Sequence, residues 1–195
     1  IEAAEKVFDS INGDILLPLA DHLAFAARRE RENIFLSNPF IPDIKILFGK
    51  EYAVALESRS IIEEMTGYRI SDDEAGFIAL HIHSGLSDEA VSETLKATQL
   101  IDESMQIIEE HLEKEMQKEA LNYIRLMSHL YYMVVRTKTG EAVNIDLNEF
   151  VQEKYPEAMK IAALICDNMA EKLERQIMQE EVGFLAIHIQ RMIAA

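Results

Sequence analysis

Four histidines obey one spacing. The interval from His22 to His81 equals that from His129 to His188, so a single shift along the chain lays one pair on the other. An arginine follows the first histidine of each pair by seven residues, at Arg29 and Arg136. Seven helical steps leave two side chains only about 20° apart around the axis and two turns along it. Each first histidine therefore shares a face with a cation that does not deprotonate. Neutral imidazole is a nucleophile near pH 7, and guanidinium forms strong charge-assisted bonds to phosphate. The chemistry this set suits is acceptance of a transferred phosphoryl group. Taken alone, each histidine would read as a core residue bonded to a carbonyl, and each arginine as a solvated helix end. The recurrence is what points elsewhere.

The second histidine of each pair lies in a fuller motif, "EAGFIALHI" at 74–82 and "EVGFLAIHI" at 181–189. Gly76 and Gly183 precede those histidines by five residues, inside helical patterns where glycine costs about 1 kcal/mol against alanine. A neighbouring helix lying close is the expected cause. If that neighbour bears the first histidine, the two rings of a pair face each other. "SDDE" at 71–74 reads as a capping box, with Ser71 as N-cap and Glu74 reaching back to it.

Other chemistries fit less well. "HExxH" is absent, and no histidine has a glutamate three residues before it, as helical di-iron sites need. There is no G-x-S-x-G elbow and no phosphate loop. Cys166 in "ALICDNM" reads as a small core residue, and His83 and His111, with no counterpart in the other copy, as surface or local residues. No residue is assigned a catalytic role, no metal ligands are assigned, and no cofactor is expected.

The elements that must hold these residues are helices. The chain has 195 residues, 49% hydrophobic, with 7 Gly and 4 Pro, so a core can form while turn signals are few. Helix is expected before Ile11, from near Pro18 to Arg31, over about 50–66 ending at Gly67, and from Asp72 through His81. "SNPFIPD" at 37–43 and "RTKTGEAVN" at 136–144 read as loops. The fold class is all-α, two homologous compact helical bundles in tandem, 1–92 and 93–195. The first copy looks to lack the start of its first helix. A net charge of −16 repels phosphate backbones, so the chain itself is a poor nucleic-acid binder. A single cysteine suits a reducing cytoplasm, and no stretch is apolar enough for membrane insertion.

"DHLAFAARR" with "DEAGFIALHI", and "SHLYYMVVR" with "EVGFLAIHI", resemble the tandem phosphotransferase-system regulation domains of BglG/SacY/LicT-type transcriptional antiterminators. The resemblance covers essentially the whole chain. It implies phosphorylation at His22 and His81 in the first domain and at His129 and His188 in the second, with Arg29 and Arg136 supporting the phosphate. It implies the sugar transporter's EIIB component as donor to the first domain and the phosphocarrier HPr as donor to the second. A homodimer is implied, with RNA bound only through an N-terminal domain lying outside this chain. Such a chain is a cytoplasmic switch and not an enzyme. Ser128 stands where the first copy has Asp21, a departure that leaves the sign of control through the second domain open. Two further readings stay open: the same modules from a DNA-binding activator, and a duplicated di-histidine metal protein.

Overall fold

Glu, Ile, Ala and Leu are the commonest residues of the chain, and helix is the only regular structure among the described residues. The computed structural model describes residues 2–87 and 89–194. Its helices are α1 (Glu2–Glu5), α2 (Leu16–Arg31), α3 (Ile41–Leu47), α4 (Gly49–Glu57), α5 (Arg59–Thr66), α6 (Asp72–Ser87), α7 (Val91–Leu112), α8 (Leu121–Thr139), α9 (Asn148–Lys154), α10 (Pro156–Leu173) and α11 (Gln179–Ile193). Two compact units result, Ile1–Thr98 and Gln99–Ala195, and the division falls within α7. In the first, α6 packs against α2, α3 and α4; in the second, α11 packs against α8, α9 and α10.

The shift that superposes the histidines holds for the backbone as well. Gly67 caps α5 with φ 69°, and its counterpart Glu174 caps α10 with φ 53°. Likewise Asn33, just past α2, has φ 54°, and its counterpart Gly140 caps α8 with φ 74°. These left-handed positions favour glycine or asparagine. Three of the four comply.

Several expectations need correction. Helix α3 begins at Ile41 inside the segment expected as a loop, because Pro42 falls in the first helical turn, where a missing N–H costs nothing. The helix expected over 50–66 is broken at Ser58, whose hydroxyl bonds the carbonyl of Val54 at 2.8 Å. The corresponding stretch of α10 runs unbroken through Ile165. The loop expected at 136–144 starts only after Thr139.

The glycines also admit a neighbour other than the expected one. A Cβ at Gly76 would lie 2.3 Å from Ile41 Cδ1 and 2.8 Å from Asn38 Nδ2. At Gly183 it would lie 2.7 Å from Asn148 Oδ1, 3.1 Å from the Asn148 backbone nitrogen and 3.2 Å from the Leu147 carbonyl carbon. What approaches is the start of α3 or α9, not the helix bearing the first histidine. The two sites differ in what must give way: rotatable side-chain ends at Gly76, backbone at Gly183. Gly183→Ala is therefore expected to destabilise by up to about 2 kcal/mol, an overpacking cost of about 1–3 less about 1 of helix propensity. Gly76→Ala should cost visibly less. Urea midpoints of the two variants check the order.

The units differ in one respect. Leu126, Leu130, Ile165 and Met169 in the second are fully buried. Their counterparts Leu19, Leu23, Ser58 and Ile62 in the first line an open apolar groove of about 410 Å³, together with Ile61 and Met65. In the second unit α7 contributes a buried row of Leu100, Ile101, Met105 and Ile108, and Lys172 on α10 reaches Glu103 beside it. At that place in the repeat the first unit has only the short α1.

Candidate functional site

Residues seven apart on two helices build each site. His22 and Arg29 share one face of α2; Glu74 and His81 share one face of α6. The faces meet. The rings of His22 and His81 lie 5.2 Å apart, centroid to centroid, tilted by 46°, and Phe77 closes on His22 at 5.8 Å. In the second unit His129 and His188 stack at 4.6 Å with an interplanar angle of 26°. The pairing expected from sequence is therefore present in both units, although the glycines are not its cause.

The centre of each site is a carboxylate. Glu74 Oε1 accepts a hydrogen bond from Arg29 Nη2 at 2.6 Å, and Oε2 lies 2.8 Å from His22 Nε2, bent away from an ideal hydrogen-bond line. In the second unit Arg136 grips Glu181 with two prongs, Nε to Oε1 at 2.6 Å and Nη2 to Oε2 at 2.9 Å. His129 Nε2 stands 3.8 Å from Glu181 Oε2. Both carboxylates are buried, Glu181 completely. A buried carboxylate is stable only when paired and bonded, and these pairings supply what burial removes.

The capping box expected at 71–74 holds on one side: the Glu74 backbone N–H donates to Ser71 Oγ at 3.1 Å. The Glu74 side chain does not reach back, because the guanidinium and imidazole across the interface bind it instead. Glu74 and Glu181 are the site residues that sequence reasoning missed. The signal was available, since both obey the same shift as the histidines and each precedes its histidine by seven residues.

Burial, helped by nearby positive charge, disfavours protonation of three of the four histidines. Burial, then the neighbouring His22, pushes His81 down to about 4 from 6.5. Burial, then His188 and Arg136, pushes His129 down to about 3, and His188 is lowered by burial and by Arg191 and Arg125. For Glu74, burial pulls the carboxyl upward, but the bonds and charges of His22 and Arg29 outweigh it and hold it below its ordinary value. At pH 7 His81, His129 and His188 are thus neutral imidazoles with a lone pair available for attack. His81 also lines an open cleft of about 600 Å³ with Asn12, Asp14, Pro18, Ser84 and Ser92.

These shifts have a stability consequence with a definite sign. Between pH 6.5 and about 4 the unfolded chain protonates the His81 position while the folded chain does not, and the window for His129 extends to about 3. Stability that depends on their neutral burial is whole above pH 6.5 and is lost progressively as the pH falls through these windows. Melting temperature followed from pH 7.5 to 4.5 should fall accordingly. His129→Gln should flatten the curve by one histidine's share.

The remaining candidates lie apart from the sites. His83 is not a surface residue: its Nδ1 lies 3.0 Å from Glu51 and its ring packs on Phe48 at 4.2 Å. His111 is exposed, bonded to the Ile107 carbonyl. Cys166 is buried in the core as expected, and burial, with Glu181 and Asp167, pushes its thiol up to about 12. Among the described residues no group of three or more His, Cys, Asp or Glu side chains could hold a metal, and no helix is long and apolar enough to cross a membrane.

Comparison with known proteins gives the same two segments. The family model described as PRD domain matches residues 1–85 and 102–192. The chain is 32% identical over 193 residues to the beta-glucoside operon antiterminator of Dickeya chrysanthemi, covering 97% of this chain and 68% of that protein. It is 30% identical over 186 residues to transcription antiterminator LicT of Bacillus subtilis (strain 168), covering 94% and 67%. To the PtsGHI operon antiterminator of the same organism it is 31% identical over 171 residues, covering 87% and 61%. The chain thus spans about two thirds of the length of these curated relatives.

Proposed function

This chain belongs to the PRD domain family, and we propose on that premise that it is the regulatory region of a transcription antiterminator, switched by phosphorylation of its paired histidines. His22 and His81 accept phosphoryl groups in the first unit, His129 and His188 in the second. The donors are the sugar transporter's EIIB component for the first and HPr for the second. In each transfer the donor's P–S or P–N bond breaks and its electron pair stays with the donor. An imidazole lone pair forms the new N–P bond, and no turnover follows. The added group carries roughly −1.5 to −2 charge, by analogy with other phosphorylated side chains.

On a chain of net charge −16 such a group needs cations close by; Arg29 and Arg136 are the candidates beside the first histidines, and Arg125 and Arg191 lie near His188. The charge it brings shifts how two copies of the chain associate, and that association controls an RNA-binding domain outside these residues. The setting is the cytoplasm, where the phosphotransferase proteins act. The observation that carries this reading is the recurrence of a histidine pair, ring centroids 5.2 and 4.6 Å apart, beside an Arg–Glu clamp in both units. The names of the three relatives given above, each an antiterminator, support it.

The test is phosphotransfer to the purified chain from phosphorylated HPr and from the phosphorylated transporter component, with sites mapped by mass spectrometry under alkaline conditions. We expect acid-labile, alkali-stable label on these four histidines. The transporter-dependent label should disappear in the His22→Ala/His81→Ala double variant. Label persisting in that variant, or none on the wild type, would refute the assignment.

A further inference from the structure

We infer that Glu74 is a positioning residue that holds the proton of His22 on Nε2 and thereby makes Nδ1 the nitrogen that accepts the phosphoryl group, with Glu181 playing the same part for His129. The inference rests on the acceptor reading given above and specifies the atom.

A carboxylate accepts hydrogen bonds and does not donate them. A neutral imidazole carries one proton, and the partner of one ring nitrogen decides where it sits. Glu74 Oε2 is 2.8 Å from His22 Nε2, and Arg29 holds the other carboxylate oxygen at 2.6 Å. With its pKa held below the ordinary value by His22 and Arg29, the Glu74 carboxyl is ionised at pH 7. The favoured tautomer therefore has Nε2–H toward Glu74 and the lone pair on Nδ1.

Access agrees with tautomer. Nε2 of His22 and Nε2 of His129 are both closed off from solvent. Nδ1 of neither is, and neither has a protein hydrogen bond there among the described residues. The nitrogen that holds the lone pair is thus also the one a donor protein can reach. In His81 the closed nitrogen is Nδ1 instead, so the rule applies to the first histidine of each pair and not to the second.

The step balances without another reactant. The donor's bond to phosphorus breaks, and the Nδ1 lone pair of His22 forms the N–P bond. The ring becomes cationic, with its Nε2–H 2.8 Å from Glu74 Oε2, so that a small turn of the ring completes the hydrogen bond. The carboxylate compensates the charge that forms, as a buried acid does for a histidine acting as base. At 3.8 Å, Glu181 must close on His129 for the same effect, so the preference should be sharper at His22.

Two measurements on the whole chain test this. Long-range ¹H–¹⁵N correlation of the unphosphorylated protein reads the tautomers, and His22 should appear as Nε2–H. ³¹P–¹⁵N correlation after phosphotransfer reads the isomer, expected to be Nδ1-phosphohistidine at His22 and His129. Glu74→Gln should keep the isomer, since its amide carbonyl still accepts from Nε2–H, and Glu74→Ala should give both isomers. If Glu74→Ala does not fold, the tautomer and isomer of the wild type and of Glu74→Gln still decide. An Nδ1–H tautomer, or Nε2-phosphohistidine at His22 in the wild type, overturns the positioning role while leaving His22 an acceptor. Absence of phosphate from His22 under any donor overturns the acceptor role, and the inference with it.

Discussion

Glu181→Ala should cost the second unit about 3–5 kcal/mol, the loss expected when one partner of a buried ion pair is removed. The Glu181 side chain is wholly inaccessible and Arg136 meets it with two prongs. Alanine would leave a largely buried guanidinium with no counter-charge at its Nε and Nη2. Urea unfolding or calorimetry reads the loss. Arg136→Ala/Glu181→Ala should cost well under the sum of the single changes, because the double variant leaves neither charge stranded. Arg136→Lys should not substitute, since an ammonium cannot reproduce the fork. A loss below about 1 kcal/mol would mean that water reaches the clamp, and the site would then be a surface pair of little energetic weight.

Leu130→Ala should cost about 2–5 kcal/mol, and Leu23→Ala, the same change at the same place in the first copy, nearer 1 kcal/mol. Leu130 is fully buried beside His129, so its removal leaves a cavity. Leu23 sits beside His22 but lines the open groove, where water already meets its side chain. Equal costs at the two positions would show that something covers the groove in solution. The comparison is cleaner than most because residue type, helix and neighbouring histidine are held constant.

Much of this was legible in the sequence, for a physical reason. Residues that act together must recur together, so one constant offset exposed the histidines and their arginines before any coordinates. Helical periodicity then put His22 and Arg29 on one face. What the sequence hid was long-range choice. The backbone N–H of Glu74 obeys its local capping pattern while its carboxylate binds Arg29 and His22, distant in sequence on α2, and no local rule ranks those alternatives. Gly76 and Gly183 announced a close approach but could not name what approaches. Pro42 could as well have ended a loop as begun a helix. His83, lacking a repeat partner, gave no hint of Glu51.

Cys166 offers a practical opening. Its thiol is buried and pushed up to about 12, so at neutral pH the thiolate fraction is on the order of 10⁻⁵ and maleimides will pass it by. A cysteine introduced at the exposed Tyr132 position would then be the one thiol that takes a spin label or fluorophore. Mixed donor- and acceptor-labelled preparations would then test directly whether copies of the chain associate, and whether added phosphate changes it, with the native thiol left in place.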